Sequence, residues 1–200
     1  MITDFKLRNE MHIHLVGIGG SGISAIARVL MGRGFVVSGS DMQANALTAV
    51  LAAKGATIYQ GHRAENIAGA DALVISSAVP NDNPEVAAAR AQGIPVLKRA
   101  DLLGHLMADK IGVAVAGSHG KTTTTGMIAQ ILLQAELDPT VIVGGTLPSI
   151  EGNGRYGQGD YFVIEADEYD HMFLGLRPEV AIITSIEHDH PTSSPPKAIM

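Results

Sequence analysis

Short apolar runs rich in Val, Ile and Ala alternate along this chain with longer stretches in which apolar residues recur at helical spacing. The short runs predict strands at His12–Val16, Phe35–Ser38, Ala56–Tyr59, Ala72–Ser76 and Pro95–Leu97. Further strands are expected at Gly112–Ala116, Thr140–Val143, Tyr161–Ile164 and Val180–Thr184. Helices are expected at Ile23–Met31, Ala46–Ala53, Pro84–Ala91, Leu102–Ala108 and from Lys121 to about Gln134. Asn83-Pro84 marks a helix start, because proline suits the first helical position. This βαβ rhythm predicts an α/β fold with parallel sheets covered on both faces. The rhythm restarts after the polar break Asp109-Lys110, so two units are expected, residues 1–108 and 109–200.

Composition narrows the classes of function. The chain has 200 residues, 46% of them hydrophobic, which is enough for one large or two compact units. A formal charge of -6 argues against general nucleic-acid binding, which calls for a basic patch. Cysteine is absent, so no disulfide forms, in keeping with a reducing compartment. The polar start, Met1 to Met11, lacks the apolar core of a signal peptide. No run approaches the roughly 18 apolar residues of a membrane helix. The expectation is a soluble, cytoplasmic protein.

Two glycine-rich turns carry the candidate chemistry. Gly117-Ser118-His119-Gly120-Lys121-Thr122-Thr123 leaves one predicted strand and opens a helix. Backbone N–H groups of such a turn, together with the helix dipole, favour phosphate oxygens. Lys121 adds a mobile positive charge, and the Thr122 hydroxyl is a Mg²⁺ ligand in the common P-loop. The match is imperfect, since Val115 stands where that loop has its first glycine. Upstream, Gly17-Ile18-Gly19-Gly20-Ser21-Gly22 fits G-x-G-x-x-G between a strand and a helix, and Asp41 follows the second strand. That pattern places an acid on a ribose hydroxyl and a pyrophosphate on the helix start. On the residues alone, a nicotinamide dinucleotide, another nucleotide diphosphate and a turn without ligand all remain open. His12 and His14 alternate on one strand, which suits packing or capping better than ligation.

Taken together with Ser38-Gly39-Ser40-Asp41, Ser76-Ser77-Ala78-Val79-Pro80, Asp82-Asn83-Pro84-Glu85, Gly144-Gly145, Glu165-Ala166-Asp167-Glu168 and Asp189-His190-Pro191, the two turns resemble the Mur ligase family of peptidoglycan synthesis. The resemblance spans almost the whole chain. It implies a Rossmann-like N-terminal domain for the UDP-sugar, followed by a P-loop-type ATPase domain. The implied activity is ATP-dependent joining of L-alanine to the carboxylate of UDP-N-acetylmuramate through an acyl phosphate, a cytoplasmic step. A recycling ligase that attaches a whole peptide to the same sugar shares these motifs.

By the same resemblance, Gly117, Ser118, His119, Gly120, Lys121, Thr122 and Thr123 hold ATP. Thr122, Glu165 and His190 serve Mg²⁺, and Lys121, Thr122, Glu165 and His190 are the residues of the reaction. Gly17, Gly19, Gly20, Ser21, Gly22, Ser40, Asp41, His62 and Ser77 are placed on the UDP-sugar. Asp167, Glu168 and Asp170 also read as a solvated acidic turn, and His188 as surface. Gly144-Gly145 reads either as a turn or as a border of the muramoyl group. Two departures stand out: Ser118 replaces the family's usual threonine, and Thr192-Ser193-Ser194-Pro195-Pro196 follows Pro191 where an acidic residue and an aromatic are usual. The family's C-terminal amino-acid-binding domain has no counterpart in these 200 residues, so this chain alone is expected to bind UDP-sugar without turnover. An oxidoreductase and a non-catalytic nucleotide-binding module are the competing classes.

Overall fold

The apolar runs assemble into two five-stranded sheets. A computed structural model describes residues 5–8, 10–76, 78–166 and 175–187. The first sheet contains β1 (His12–Val16), β2 (Val36–Asp41), β3 (Thr57–Gln60), β4 (Ala72–Ile75) and β5 (Val96–Lys98). All its pairings are parallel and the order is β3-β2-β1-β4-β5. This is the doubly wound arrangement, in which ligands lie beyond the carboxyl ends of the strands where the order reverses. Its helices are α1 (Ser21–Gly32), α2 (Ala46–Ala53), α3 (Pro84–Ala91) and α4 (Arg99–Met107). Side chains define two of the starts. Asn45 and Thr48 form a reciprocal capping box on α2, and Asn83 caps α3 with Pro84 following at once.

The second sheet contains β6 (Ile111–Ala116), β7 (Thr140–Leu147), β8 (Gly152–Arg155), β9 (Tyr161–Glu165) and β10 (Val180–Ile183), in the order β10-β6-β9-β7-β8. Helix α5 (Lys121–Gln134) follows β6. This sheet is mixed, because β8 runs antiparallel to β7. The sequence pattern concealed β8: Gly152-Asn153-Gly154-Arg155 has no alternating apolar residues and reads as a turn. It also concealed the length of β7, which carries Gly144 and Gly145 inside an irregular strand and not in a turn.

The glycines of β8 answer to packing. Helix α1 belongs to the first sheet in sequence, yet it also lies against β7 and β8 of the second. A Cβ on Gly154 would stand 2.2 Å from the Ala25 carbonyl oxygen, and one on Gly152 would stand 2.6 Å from the Arg28 guanidinium. Asn153 sits between them, and its side-chain amide donates to the Ser21 carbonyl (2.8 Å) and the Ser24 hydroxyl (2.9 Å). One apolar cluster accordingly runs through both sheets. It joins Ile13, Leu15, Ile26 and Leu30 to Ile142, Phe162 and Ile164.

Gly154→Ala is expected to destabilise the fold by at least about 1–3 kcal/mol, since backbone has to move to admit the methyl group. Urea denaturation checks this, and a wild-type midpoint in the variant would contradict the close contact.

Candidate functional site

The second glycine turn stands at the carboxyl end of β6, with β9 and then β7 as neighbours. Gly117 and Gly120 both have positive φ, 129° and 79°, which a side chain would strain. A Cβ on Gly117 would also stand 2.3 Å from the Thr184 hydroxyl. The turn is braced by the segment after β10. Ser118 N–H donates to the Ser185 carbonyl (2.9 Å), His119 N–H to the Ser185 hydroxyl (3.2 Å) and the Thr184 hydroxyl to the His119 carbonyl (2.5 Å). Two N–H groups of the turn are therefore engaged by protein. Lys121 extends back over the turn, and its Nζ donates to the Gly117 carbonyl (2.5 Å). His119 is exposed and faces Glu187 at 3.6 Å.

Glu165 ends β9, opposite Val115 of β6. Its Oε2 accepts the Thr122 hydroxyl (2.9 Å) and the Gly144 N–H (2.8 Å). Three elements thus bring a hydroxyl, a carboxylate and a glycine to one point. A Cβ on Gly144 would approach Glu165 to 3.2 Å, so the glycine leaves that carboxylate room. Paired hydroxyl and carboxylate oxygens are hard donors of the kind Mg²⁺ prefers, and they fit that ion. Among the described residues, no cluster of three or more His, Asp or Glu forms a metal site. His190, Asp167, Glu168, Asp170 and His188 lie outside the described residues, as does Ser77.

The first glycine turn follows β1 and is held by its own unit. Gly17 and Ile18 donate to the Ser40 carbonyl at 2.8 and 3.1 Å, and Gly20 to the Gly17 carbonyl at 3.1 Å. Asp41 accepts the Gly19 N–H (2.9 Å), and the Asn45 amide donates to the Gly19 carbonyl (3.0 Å). Asp41 therefore braces the turn, in addition to any ribose it reaches. The first N–H groups of α1, at Ser21 and Gly22, lack intrahelical acceptors by geometry and favour an anion there. A cavity of about 70 Å³ lined by Ser21, Gly22, Arg99, Gly144 and Glu165 joins this helix start to the second site. A Cβ on Gly22 would fall 2.1 Å from Arg99 Nη1, so Gly22 makes room for the guanidinium.

Sequence reasoning missed a buried polar network behind the first turn. Glu85, the second residue of α3, is fully buried. It accepts from the Ser40 hydroxyl (2.6 Å) and the Asn66 amide (2.6 Å), and it faces His62 Nδ1 (3.1 Å) and His14 Nε2 (3.5 Å). Ser40 is itself fully buried, with its hydroxyl behind His62 and its carbonyl on the glycine turn. His12 and His14 share the Ser38 hydroxyl at 2.7 and 2.8 Å, the packing role expected of them. The signal that could have found the network is an acid just inside a capped helix, on a face that must be buried. Burial pushes the Glu85 carboxyl up, but the contacts with His14, Ser40 and Asn66 outweigh it and hold the group from an ordinary 4.5 down to about 2.

With this geometry in place, comparison with known proteins is informative. The family described as "Mur ligase family, catalytic domain" matches residues 12–111, and "Mur ligase middle domain" matches residues 115–191. A UDP-N-acetylmuramate--L-alanine ligase of Bordetella petrii is 57% identical over 90% of this chain and 38% of its own length. One from Desulfatibacillum aliphaticivorans is 51% identical over 92% of this chain and 40% of its own. The chain thus spans about two-fifths of the length of these curated relatives. The crystal structure of UDP-N-acetylmuramate-alanine ligase from Thermotoga maritima is similar with a TM-score of 0.84 and 38% identity, over 90% of this chain and 42% of that one. That of a UDP-N-acetylmuramate:L-alanyl-gamma-D-glutamyl-meso-diaminopimelate ligase from Neisseria meningitides gives 0.83 and 32%, over 90% and 62%.

The lowered pKa of Glu85 makes stability depend on acid. Its partnered carboxylate stabilises the fold above pH 4.5, and that contribution is lost as pH falls towards 2. At about 1.4 kcal/mol per unit it amounts to about 3 kcal/mol at neutral pH. Urea denaturation from pH 7 to 2 should therefore show a weaker acid dependence for Glu85→Gln than for the wild type; equal slopes would refute the assignment.

Proposed function

The chain belongs to the Mur ligase family, and from that premise we propose that it carries the UDP-sugar and ATP sites of an ATP-dependent ligase joining L-alanine to UDP-N-acetylmuramate. The observation that carries the reading is the meeting of Thr122, Glu165 and Gly144 beside Lys121, across one cavity from the start of α1. A phosphate-type turn and an anion-favouring helix start, joined through Arg99, suit two anionic substrates that must meet. The proposed step of peptidoglycan synthesis is cytoplasmic. Among the described residues no helix is long and apolar enough to cross a membrane.

In this reading the substrate carboxylate attacks the γ-phosphorus of ATP, ADP leaves, and the amine of L-alanine then displaces phosphate from the acyl phosphate. The chemistry needs no protein nucleophile, only alignment and neutralisation of like charges. Lys121 exchanges the Gly117 carbonyl for phosphate oxygens, contributing charge without leaving the turn. Gly117 to Thr123 provides the backbone cradle. Thr122 and Glu165 would hold Mg²⁺, which when bound supplies charge neutralisation at the β- and γ-phosphates; a role for His190 as a further ligand rests on the family resemblance. Gly17, Gly19, Gly20, Ser21 and Gly22 would meet the diphosphate, with Asp41 and His62 at the nucleoside and Ser77 placed there by resemblance alone. Ser40 would support His62 from behind.

The recycling ligase is the second reading, and the identities of 57% and 51% to L-alanine ligases, against 32% to the peptide ligase of known structure, favour the first. A dehydrogenase has no use for the second turn. Calorimetry with UDP-N-acetylmuramate should show binding to this chain and no response to NAD. In the whole protein, ATP hydrolysis should require both UDP-N-acetylmuramate and L-alanine. Lys121→Ala should weaken nucleotide binding by about 1.5–3 kcal/mol, the worth of a charge-assisted contact, and lower turnover further. Unchanged ligation in that variant, or preference for a peptide over L-alanine, would overturn the corresponding part of the proposal.

A further inference from the structure

The mechanism above makes no use of the fully buried Glu85, although five residues from β1, β2 and the segment after β3 converge on or behind it. Hydrogen positions follow from its surroundings. Ser40 has one hydroxyl proton and gives it to Glu85 Oε2 at 2.6 Å. Its oxygen is then an acceptor towards His62 Nδ1, 2.9 Å away, and Glu85 Oε2 is a second acceptor at 3.1 Å. A ring nitrogen facing two acceptors carries the proton. The neutral His62 ring is therefore the Nδ1–H tautomer, with its lone pair on Nε2 at the ring edge away from Ser40 and Glu85, in a side chain that is 19% exposed. That edge lies beyond β3, at the same carboxyl end as the Gly17 turn, since Gly61 N–H pairs with the Asp41 carbonyl.

A second chain of polar contacts reaches the other side of Glu85. From the Gly69 carbonyl the contacts run through His12, Ser38 and His14 to Glu85. Both ends of this chain are acceptors when Glu85 is ionised. Three of these contacts are hydrogen bonds, and His12, Ser38 and His14 supply a proton for each. His14 Nε2, buried and without a hydrogen-bond partner, faces the carboxylate at 3.5 Å.

We propose that Glu85 is a positioning residue that fixes His62 as a hydrogen-bond acceptor for a donor on the bound nucleotide, either the uracil imide N–H or the ribose 2′-hydroxyl. This rests on the UDP-sugar reading of the first turn. An acceptor at Nε2 selects chemically: cytosine has a lone pair where uracil has its imide proton, and a deoxyribose lacks the 2′ donor.

Long-range ¹H–¹⁵N spectra of the wild-type chain, without ligand, should place the His62 proton on Nδ1. In Glu85→Met the Ser40 hydroxyl loses its acceptor and turns to Nδ1, so the ring should shift to the Nε2–H form. UDP affinity should fall about tenfold, the worth of one hydrogen bond turned against its partner. Comparison of UDP with CDP and with 2′-deoxy-UDP in the wild type identifies the donor, and equal affinity for all three counts against the proposal. A wild-type ring protonated on Nε2, or a Glu85→Met chain that keeps the wild-type tautomer or affinity, overturns it. If Glu85→Met does not fold, the wild-type tautomer decides. A chain that holds Nδ1–H but binds no UDP refutes the nucleotide reading of the site and leaves the tautomer assignment standing.

Discussion

The backbone-to-backbone contact between α1 and β8 is the constraint on which the rest of the arrangement depends. Helix α1 begins at the first glycine turn, lies beneath the second sheet, and has Gly154 so close to Ala25 that no side chain fits between them. The Asn153 amide pins the start of the same helix at Ser21 and Ser24. Two sites at the carboxyl ends of two different sheets therefore keep a set separation, and Arg99 stands in the cavity between them. Without this shared helix each sheet would lose part of its cover, and the apolar cluster through Ile26, Leu30, Ile142 and Phe162 would open to water.

Much of this was legible in the sequence because parallel strands buried on both faces read as continuous apolar runs. The helices Ala46–Ala53, Pro84–Ala91 and Lys121–Gln134 coincide with the expected bounds, the second because Asn83-Pro84 marks its start. What escaped was determined by tertiary contact. Gly152 and Gly154 are glycines because α1 lies on them, and that need erased the strand signal. Gly144 is placed by Glu165, a residue of another strand. Glu85 looked like an ordinary helix-start acid, and nothing local shows that His14, Ser40, His62 and Asn66 close around it.

The two glycine turns solve one geometric problem by different means. The Gly17 turn is stabilised from within its own unit, by Ser40, Asp41 and Asn45. The Gly117 turn relies on residues that follow β10, more than sixty positions away in sequence. The first is organised as soon as β1 and β2 pair, whereas the second waits for a long-range strand to dock, with the loop-closure cost that entails.

The bare-backbone approach of Gly154 to Ala25 has a mechanical consequence. Interfaces cushioned by long side chains can slide, because rotamers absorb the displacement; bare backbone against backbone cannot. Helix α1, β7 and β8 are thereby tied together at one point. A change in the distance between the two glycine turns would have to shear this contact first.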